Sequence, residues 1–421
     1  MYMNWKERII LLILAALNFT HILDFMIMMP LGNYLMPYFD ISAQQFSFLV
    51  AAYTISAAVS GFVAAFYVDG FDRRKVLLFG YSGFIIGTIA CGFAPNYGFL
   101  LAFRLLAGLF GGLIGAQVLS IISDIYSYER RGRAMGAIMS AFAVASTLGI
   151  PLALYLSNIF SWHAPFLFIG GLGLLIIPLI IYFIPPMSDH LRKSGEENAK
   201  DEKPGNLQVL TTVWNDNRQR MALMFSGLIM VGHFMIIPFI NPYMEFNNGY
   251  PKNVTPMIYL VGGISSFVAA NLLGWIADRY GKLRVFIACV FLSMVLVYAI
   301  TNVPAIPFTV ILTMFGCWFA FSTGRGVTAQ AMVSNVVEPE KRGSFMSFNS
   351  SLQQLGSSVA ALVSGLVVIR NPSGRIEHYD LLGYLSIAVL MVCAWLAWKI
   401  FGRSELKKKA SLAVAADRKE G

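Results

Sequence analysis

Ionisable side chains are scarce within the long apolar stretches of this chain, so each one found there is a candidate for chemistry. Asp24 stands in NFTHILDFMIM and Arg104 in LAFRLLAGL. A carboxylate surrounded by hydrocarbon costs ~2.5 kcal/mol or more on insertion scales, and so requires a cavity, a partner or a proton. By helical rise, Asp24 lies ~10 Å from the outer end of its helix and Arg104 ~9 Å from the outer end of its own. Similar depth predicts a pair whose hold on Asp24 weakens when the carboxylate is protonated. A fixed structural ion pair is the other reading of the same two residues. His21 sits one turn from Asp24 on the same helix face and titrates near neutrality, so it can share a proton.

A second set lies in the other half of the chain. His233 matches Asp24 at an offset of 209 residues. Arg325, in FSTGRGVTAQ, has no charged counterpart in the first half, where Ile114 is the matched position. An intramembrane arginine can bind an anionic substrate group, or snorkel toward the aqueous side, or contact backbone carbonyls; these readings stay open. Asn349, Gln353 and Ser357, spaced by four, predict one polar helix face lining water. Gln117 and Asn271 are further candidates for lining a cavity, or else for bonding between helices. The 20 Met and 33 Phe allow a greasy, adaptable pocket, although most must pack or face lipid.

The elements that would carry these residues follow from composition. Of 421 residues 57% are hydrophobic and 13% charged, with mean hydropathy +0.66. Soluble domains carry roughly 25% charged residues. Apolar runs of about 20 residues read as membrane-crossing helices, and twelve fit, at about 7–31, 45–68, 76–94, 98–123, 134–157, 163–184, 220–243, 255–276, 284–301, 306–334, 343–369 and 381–401. The first is expected to be a retained helix, since no small-residue cleavage site follows a short core. The fourth holds a ladder of small residues, Ala107, Gly108, Gly111, Gly112 and Gly115, which lets helix backbones approach closely. The fold class is therefore an all-α membrane protein of twelve transmembrane helices.

Charge sets the orientation. All but five of the 31 Lys and Arg fall on the side of the even-numbered loops and the termini; the exceptions are Lys252, Arg370, Arg375, Arg104 and Arg325. This positive-inside bias predicts that both termini are cytoplasmic, in a plasma membrane or, in a bacterium, the inner membrane. It also turns the net charge of +9 away from nucleic acid and toward anionic lipid. The chain divides into a six-helix bundle at 1–186, a polar linker at 187–219, a second bundle at 220–402 and a basic tail at 403–421. The division rests on a repeat. GFVAAFYVDGFDRRK, from Gly61 to Lys75, returns as AANLLGWIADRYGKLR, with Asp278 standing 209 residues after Asp69. A second echo links ERRGRAM with EKRGSFM.

These motifs resemble the major facilitator superfamily over essentially the whole length. Its loop pattern G-x-x-x-D-R-x-G-R-R is met by Gly61, Asp69, Arg73, Arg74 and Lys75, with Gly70 replacing the usual Arg and Asp72 the usual Gly. The second copy, Gly274, Asp278, Arg279, Gly281, Lys282 and Arg284, is nearer the pattern. Arg104 to Gly108 resembles the R-x-x-x-G motif of the fourth helix, and Gly149-Ile150-Pro151 the Gly–Pro motif of exporters in the fifth, with Ala153 and Leu154 departing from its full glycine set. The resemblance implies two pseudo-symmetric six-helix bundles, loops that latch one conformational state, and membership of the drug:proton antiporter branch with its sugar and nucleoside efflux members.

The expectation is a monomeric secondary transporter, not an enzyme, that exports a small organic solute against protons by alternating access. Asp24, Arg104 and His21 would couple the proton; His233, Arg325, Gln117, Asn271, Asn349 and Gln353 would meet the substrate. Uptake or uniport of a sugar, organic acid or lipid-like solute is the alternative, as is a membrane sensor that lost transport. There is no GxxxxGK[ST] loop and no HExxH, so no cofactor, nucleotide or metal is expected and the proton gradient supplies the energy. Cys91, Cys289, Cys317 and Cys393 fall in apolar segments without a CxxC and read as packed thiols.

Overall fold

The computed structural model describes residues 4–64, 67–126, 134–136, 138, 140–142, 144–187, 215–337 and 342–420. The loop echoes around 127–133 and 338–341, most of the 187–219 linker, and the side chains of Asp69 and of the basic tail lie outside what is described.

The first half comprises α1 (Trp5–Ile27), a short α2 (Gly32–Phe39), α3 (Ala43–Ala64), α4 (Arg73–Gly92), α5 (Tyr97–Ile125), α6 (Ala134–Ile159) and α7 (Ala164–Phe183). The second comprises α8 (Asn217–Phe234), α9 (Ile240–Phe246), α10 (Pro256–Tyr280), α11 (Lys282–Thr301), α12 (Phe308–Val333), α13 (Arg342–Val367) and α14 (Tyr379–Glu420). A two-stranded hairpin, β1 (Ile369–Arg370) with β2 (Ile376–Glu377), links the last two. Among the described residues eleven helices are long and apolar enough to cross a membrane. The one that falls short is α13, at 26 residues long enough but diluted by Asn349, Gln353 and seven serines. Asn349, Ser357, Ser358 and Ser364 are buried within the bundle instead of facing lipid, and Ser358 bonds Thr54 of α3 at 2.6 Å.

Two spans are less regular than an apolar run implies. The seventh was expected as one helix over 220–243, but it breaks after Phe234 into a 3-10 turn, Ile237–Phe239, and resumes as α9. Pro238 and Pro242 lack the N–H that an unbroken helix needs. In α6 the segment Ala145–Gly149 forms a π turn immediately before Pro151, a distortion that absorbs the hydrogen bond proline cannot make. Gly263 of α10 packs on that turn, so closely that a Cβ there would lie 2.5 Å from the Thr147 Cα.

Among the described residues three large apolar cores organise the bundle, beside two small clusters. One belongs to the first half (Leu14, Leu17, Phe84, Ile121 among others) and one to the second (Phe225, Phe286, Val333, Leu390). The largest is shared by both halves, joining Ile27, Met28, Leu31, Leu35 and Phe46 to Met235, Ile236, Phe239, Met244 and Tyr259. It lies at the end opposite the termini, called here the far end. Exposed Leu12, Phe79, Ile86, Leu174, Leu175, Phe291, Val295 and Trp398 give the bundle an apolar rim suited to lipid. Cys317 is on that surface, whereas the other three cysteines are buried.

Candidate functional site

Asp24 of α1 and Arg104 of α5 form the ion pair expected from their depths. Arg104 Nη1 donates to Asp24 Oδ2 at 2.8 Å, and both side chains are 0% exposed. The contact is monodentate. Asp24 Oδ1 and Arg104 Nε and Nη2 have no hydrogen-bond partner among the described residues. A buried pair repays its desolvation only when the remaining lone pairs and protons are also satisfied, so this one is poised instead of saturated.

The surroundings explain how the pair is held. The Tyr53 ring of α3 lies under the guanidinium at 4.5 Å. Thr88 of α4 stands beside the carboxylate. His21 faces Tyr53 and Phe84, with ring centroids at 6.2 and 5.5 Å. The glycine ladder of α5 makes room for all of this: a Cβ on Gly111 would sit 2.5 Å from the Tyr53 hydroxyl and 3.2 Å from His21 Nε2, and one on Gly108 would strike the Tyr53 carbonyl oxygen. His21 therefore joins the cluster through Tyr53. Tyr53 and Thr88 were not singled out from sequence.

In the second half Arg325 of α12 has a partner that the repeat offset concealed. Its Nη2 reaches His233 Nδ1 of α8 at 3.5 Å. The seventh and tenth spans are thus joined through an arginine, as the first and fourth are. The matched position in the first half remains the uncharged Ile114, so this contact adds a partner from the seventh span and not a counterpart by repeat. With arginine the donor, Nδ1 accepts and the ring proton belongs on Nε2. His233 also lies against Trp318 at 5.3 Å, and its neighbour Phe234 meets Phe25 of the first half at 5.6 Å.

The other predicted polar residues divide. Gln117 and Asn349 are 2% and 1% exposed, and their carbonyl oxygens have no partner among the described residues. Gln353 bonds Gln330 at 3.4 Å, and Asn271 is exposed and donates to Phe267 O of its own helix; neither is gathered with the buried set. Ser357 donates to Gln353 O, so the expected polar face of α13 is spent partly on itself.

Asp24 is also not the only buried carboxylate. Glu245 of α9 accepts from Asn33 Nδ2 of α2 and from Thr255 Oγ1, each at 2.7 Å, and is 9% exposed. Its helix was expected to end at 243, which left it in a loop. The Asn33 bond crosses between the halves. Asn241 Nδ2 to Pro30 O at 3.1 Å and Asn158 Nδ2 to Lys252 O at 3.1 Å cross there too, so the far end is closed by polar bonds above the shared core.

At the opposite end the two loop motifs differ. Asp72, where the pattern has Gly, caps α4 by accepting from Lys75 N at 3.0 Å and ties Met187 N at 2.7 Å. Arg73 pairs with Asp124 of α5 at 2.9 Å, and Arg74 bonds Ile181 O of α7. This loop therefore fastens α4, α5 and α7 of one half. In the second copy Gly281 takes φ 104°, open to glycine, to turn from α10 into α11. Asp278 and Lys282 there make only an exposed 4.0 Å contact, and Arg279 lies over Trp275. In the fifth span Gly149 lets Leu23 of α1 approach, since a Cβ would meet Leu23 Cδ1 at 2.8 Å.

With this architecture in view, the sequence profile of the Major Facilitator Superfamily matches residues 14–324 and 222–420, and the chain belongs to that family. It is a multi-pass membrane transporter, not an enzyme. Similar proteins include the inner membrane transport protein YdhP of Escherichia coli K12, 24% identical over 89% of this chain and 90% of the relative. The multi-drug resistance efflux pump PmrA homolog of Lactococcus lactis is 24% identical over 82% of this chain and 83% of the relative. Among solved structures, a D-xylose–proton symporter superimposes with TM-score 0.73 at 15% identity, covering 93% of this chain and 97% of that one. A bacterial homolog of the lysosomal transporter Spinster, in an inward-facing conformation, gives 0.72 at 15%, covering 96% and 99%.

Proposed function

We propose that this transporter exports a small organic solute in exchange for protons. Asp24 accepts the proton, and Arg104 competes with that proton for the carboxylate. The observation that carries the reading is the monodentate Asp24–Arg104 contact, fully buried, with one carboxylate oxygen and two guanidinium nitrogens unpartnered. Protonation of Asp24 removes the attraction between α1 and α5, two helices of the half that rocks against the other. Proton binding and helix movement are then two sides of one equilibrium. His21, reached through Tyr53, is the next proton carrier. Arg325, His233, Gln117 and Asn349 are the substrate-facing residues on this reading, with the 69–75 and 278–284 loops holding one conformational state. Export is favoured by the Gly149–Pro151 motif and by the efflux pump among the relatives. The lysine and arginine distribution supports cytoplasmic termini.

The test uses full-length protein in liposomes loaded with acid buffer and a pH-sensitive dye, challenged with sugars, nucleosides, amphiphilic cations and organic acids. The expected result is proton release that depends on added solute and disappears with Asp24→Asn. Solute and proton moving in the same direction would make the protein a symporter. Solute flux indifferent to the gradient would make it a uniporter and leave Asp24 a structural residue.

A further inference from the structure

The two halves treat their buried arginines differently. Arg104 is answered by a carboxylate at 2.8 Å. Arg325, 1% exposed, is answered only by an imidazole nitrogen at 3.5 Å, and its Nε and Nη1 have no partner among the described residues. The titratable side chains near it on α11 and α14 are the thiols of Cys289 and Cys393 and not carboxylates. One helical turn and then two turns outward along α12, on the same face, stand Ser322 and Trp318. Ser322 Oγ and Trp318 Nε1 are buried and likewise unpartnered. His233 touches both ends of this row, Trp318 and Arg325, so the groups converge on one place beside α8.

The chemistry of that row is one-sided. Guanidinium and indole nitrogens only donate, and the serine hydroxyl can donate. Four open donor atoms with a net positive charge, buried among aromatic rings, lack an acceptor that carries negative charge. A buried cation left uncompensated is costly, and a charge-assisted hydrogen bond is the interaction that relieves it.

We infer that this site takes the carboxylate of a small apolar or aromatic acid, and that the substrate supplies at Arg325 the carboxylate that Asp24 supplies at Arg104. The acid's hydrocarbon body rests against Trp318, His233 and Phe315, whose ring lies 6.2 Å from that of Trp318. The inference rests on the reading of the chain as a solute transporter and adds the class of solute.

The experiment measures thermal stabilisation and titration calorimetry of the full-length protein in lipid nanodiscs. The probes are benzoate, indole-3-acetate and octanoate, each beside its neutral amide and the ammonium analogue of matched length. At least one carboxylate should bind, its amide and ammonium counterparts should bind at least tenfold more weakly, and Arg325→Gln should remove the difference. Ser322→Ala, which leaves charge and fold in place, should weaken the carboxylate several-fold without changing the melting temperature of the free protein. The inference is overturned if no carboxylate of the series binds, if amides or amines bind as tightly, or if Arg325→Gln keeps the preference. Failure here is separable from failure of the antiport reading. Amine-driven proton exchange with no carboxylate binding would sink this inference and keep antiport. Carboxylate binding without proton movement would do the reverse.

Discussion

At the scale of single residues, the question is whether the Asp24–Arg104 pair is a structural fixture or a working part. Stability and coupling answer differently. Removing one member of a buried ion pair leaves an uncompensated charge and costs roughly 3–5 kcal/mol, whereas replacing both with apolar groups is often neutral. Asp24→Ala is therefore expected to lower the melting temperature in detergent, and Asp24→Ala combined with Arg104→Leu to recover most of the loss. Proton-coupled transport should fail in both. If the double variant regains coupling along with stability, the pair is a fixture. The pair was legible in the sequence because charges in apolar runs are rare enough to compare by depth. Tyr53 was not legible. A tyrosine in an apolar helix is unremarkable by type, and its role comes from the notch that Gly108 and Gly111 open in a different helix.

At the scale of elements, two kinds of contact position the site. One is the close seam between α3 and α5, where a Cβ on Gly112 would lie 2.3 Å from the Ala57 carbonyl oxygen. Backbone cannot yield as a side-chain tip can, so Gly112→Val should destabilise by about 1–3 kcal/mol and shift Tyr53 away from Arg104. Intrinsic fluorescence-detected unfolding checks the first part. The other is the Asn33–Glu245–Thr255 cluster between α2 and α9. Glu245→Ala removes two bonds that close the far end and should raise deuterium uptake in residues 28–40 and 240–250, while Glu245→Gln, which can still accept and donate there, should raise it far less. Equal uptake in both variants would show that the bonds do not hold the end shut. Sequence reasoning missed this cluster for an identifiable reason: Pro238 and Pro242 interrupt the seventh span, and the resumption of helix in α9 comes from packing against α2, which no local pattern encodes.

At the scale of the whole molecule, the distribution of cores describes a state. The halves share one apolar core at the far end and keep separate cores toward the termini. Along one side α3 and α13 meet over their length, from Ser47 beside Gly365 to Phe62 beside Phe348 at 6.1 Å. On the other side the contacts run outward from Thr147 of α6 and Gly263 of α10 to Asn158 of α6 and Lys252 in the loop before α10. Twelve apolar runs and a repeated loop were enough to foresee two bundles, but not which end would be shut, since that depends on contacts between residues more than a hundred positions apart. If transport proceeds by rocking, the far end must part in each cycle. Asn158→Cys with Lys252→Cys, joined by a short bifunctional thiosulfonate in a Cys317→Ser background, would hold it closed. Solute exchange in liposomes should then stop, and return when a reductant cleaves the link. Either single cysteine, treated alike, should transport normally. Undiminished exchange by the linked protein would mean that the halves do not separate there, and that the solute follows another route through the bundle.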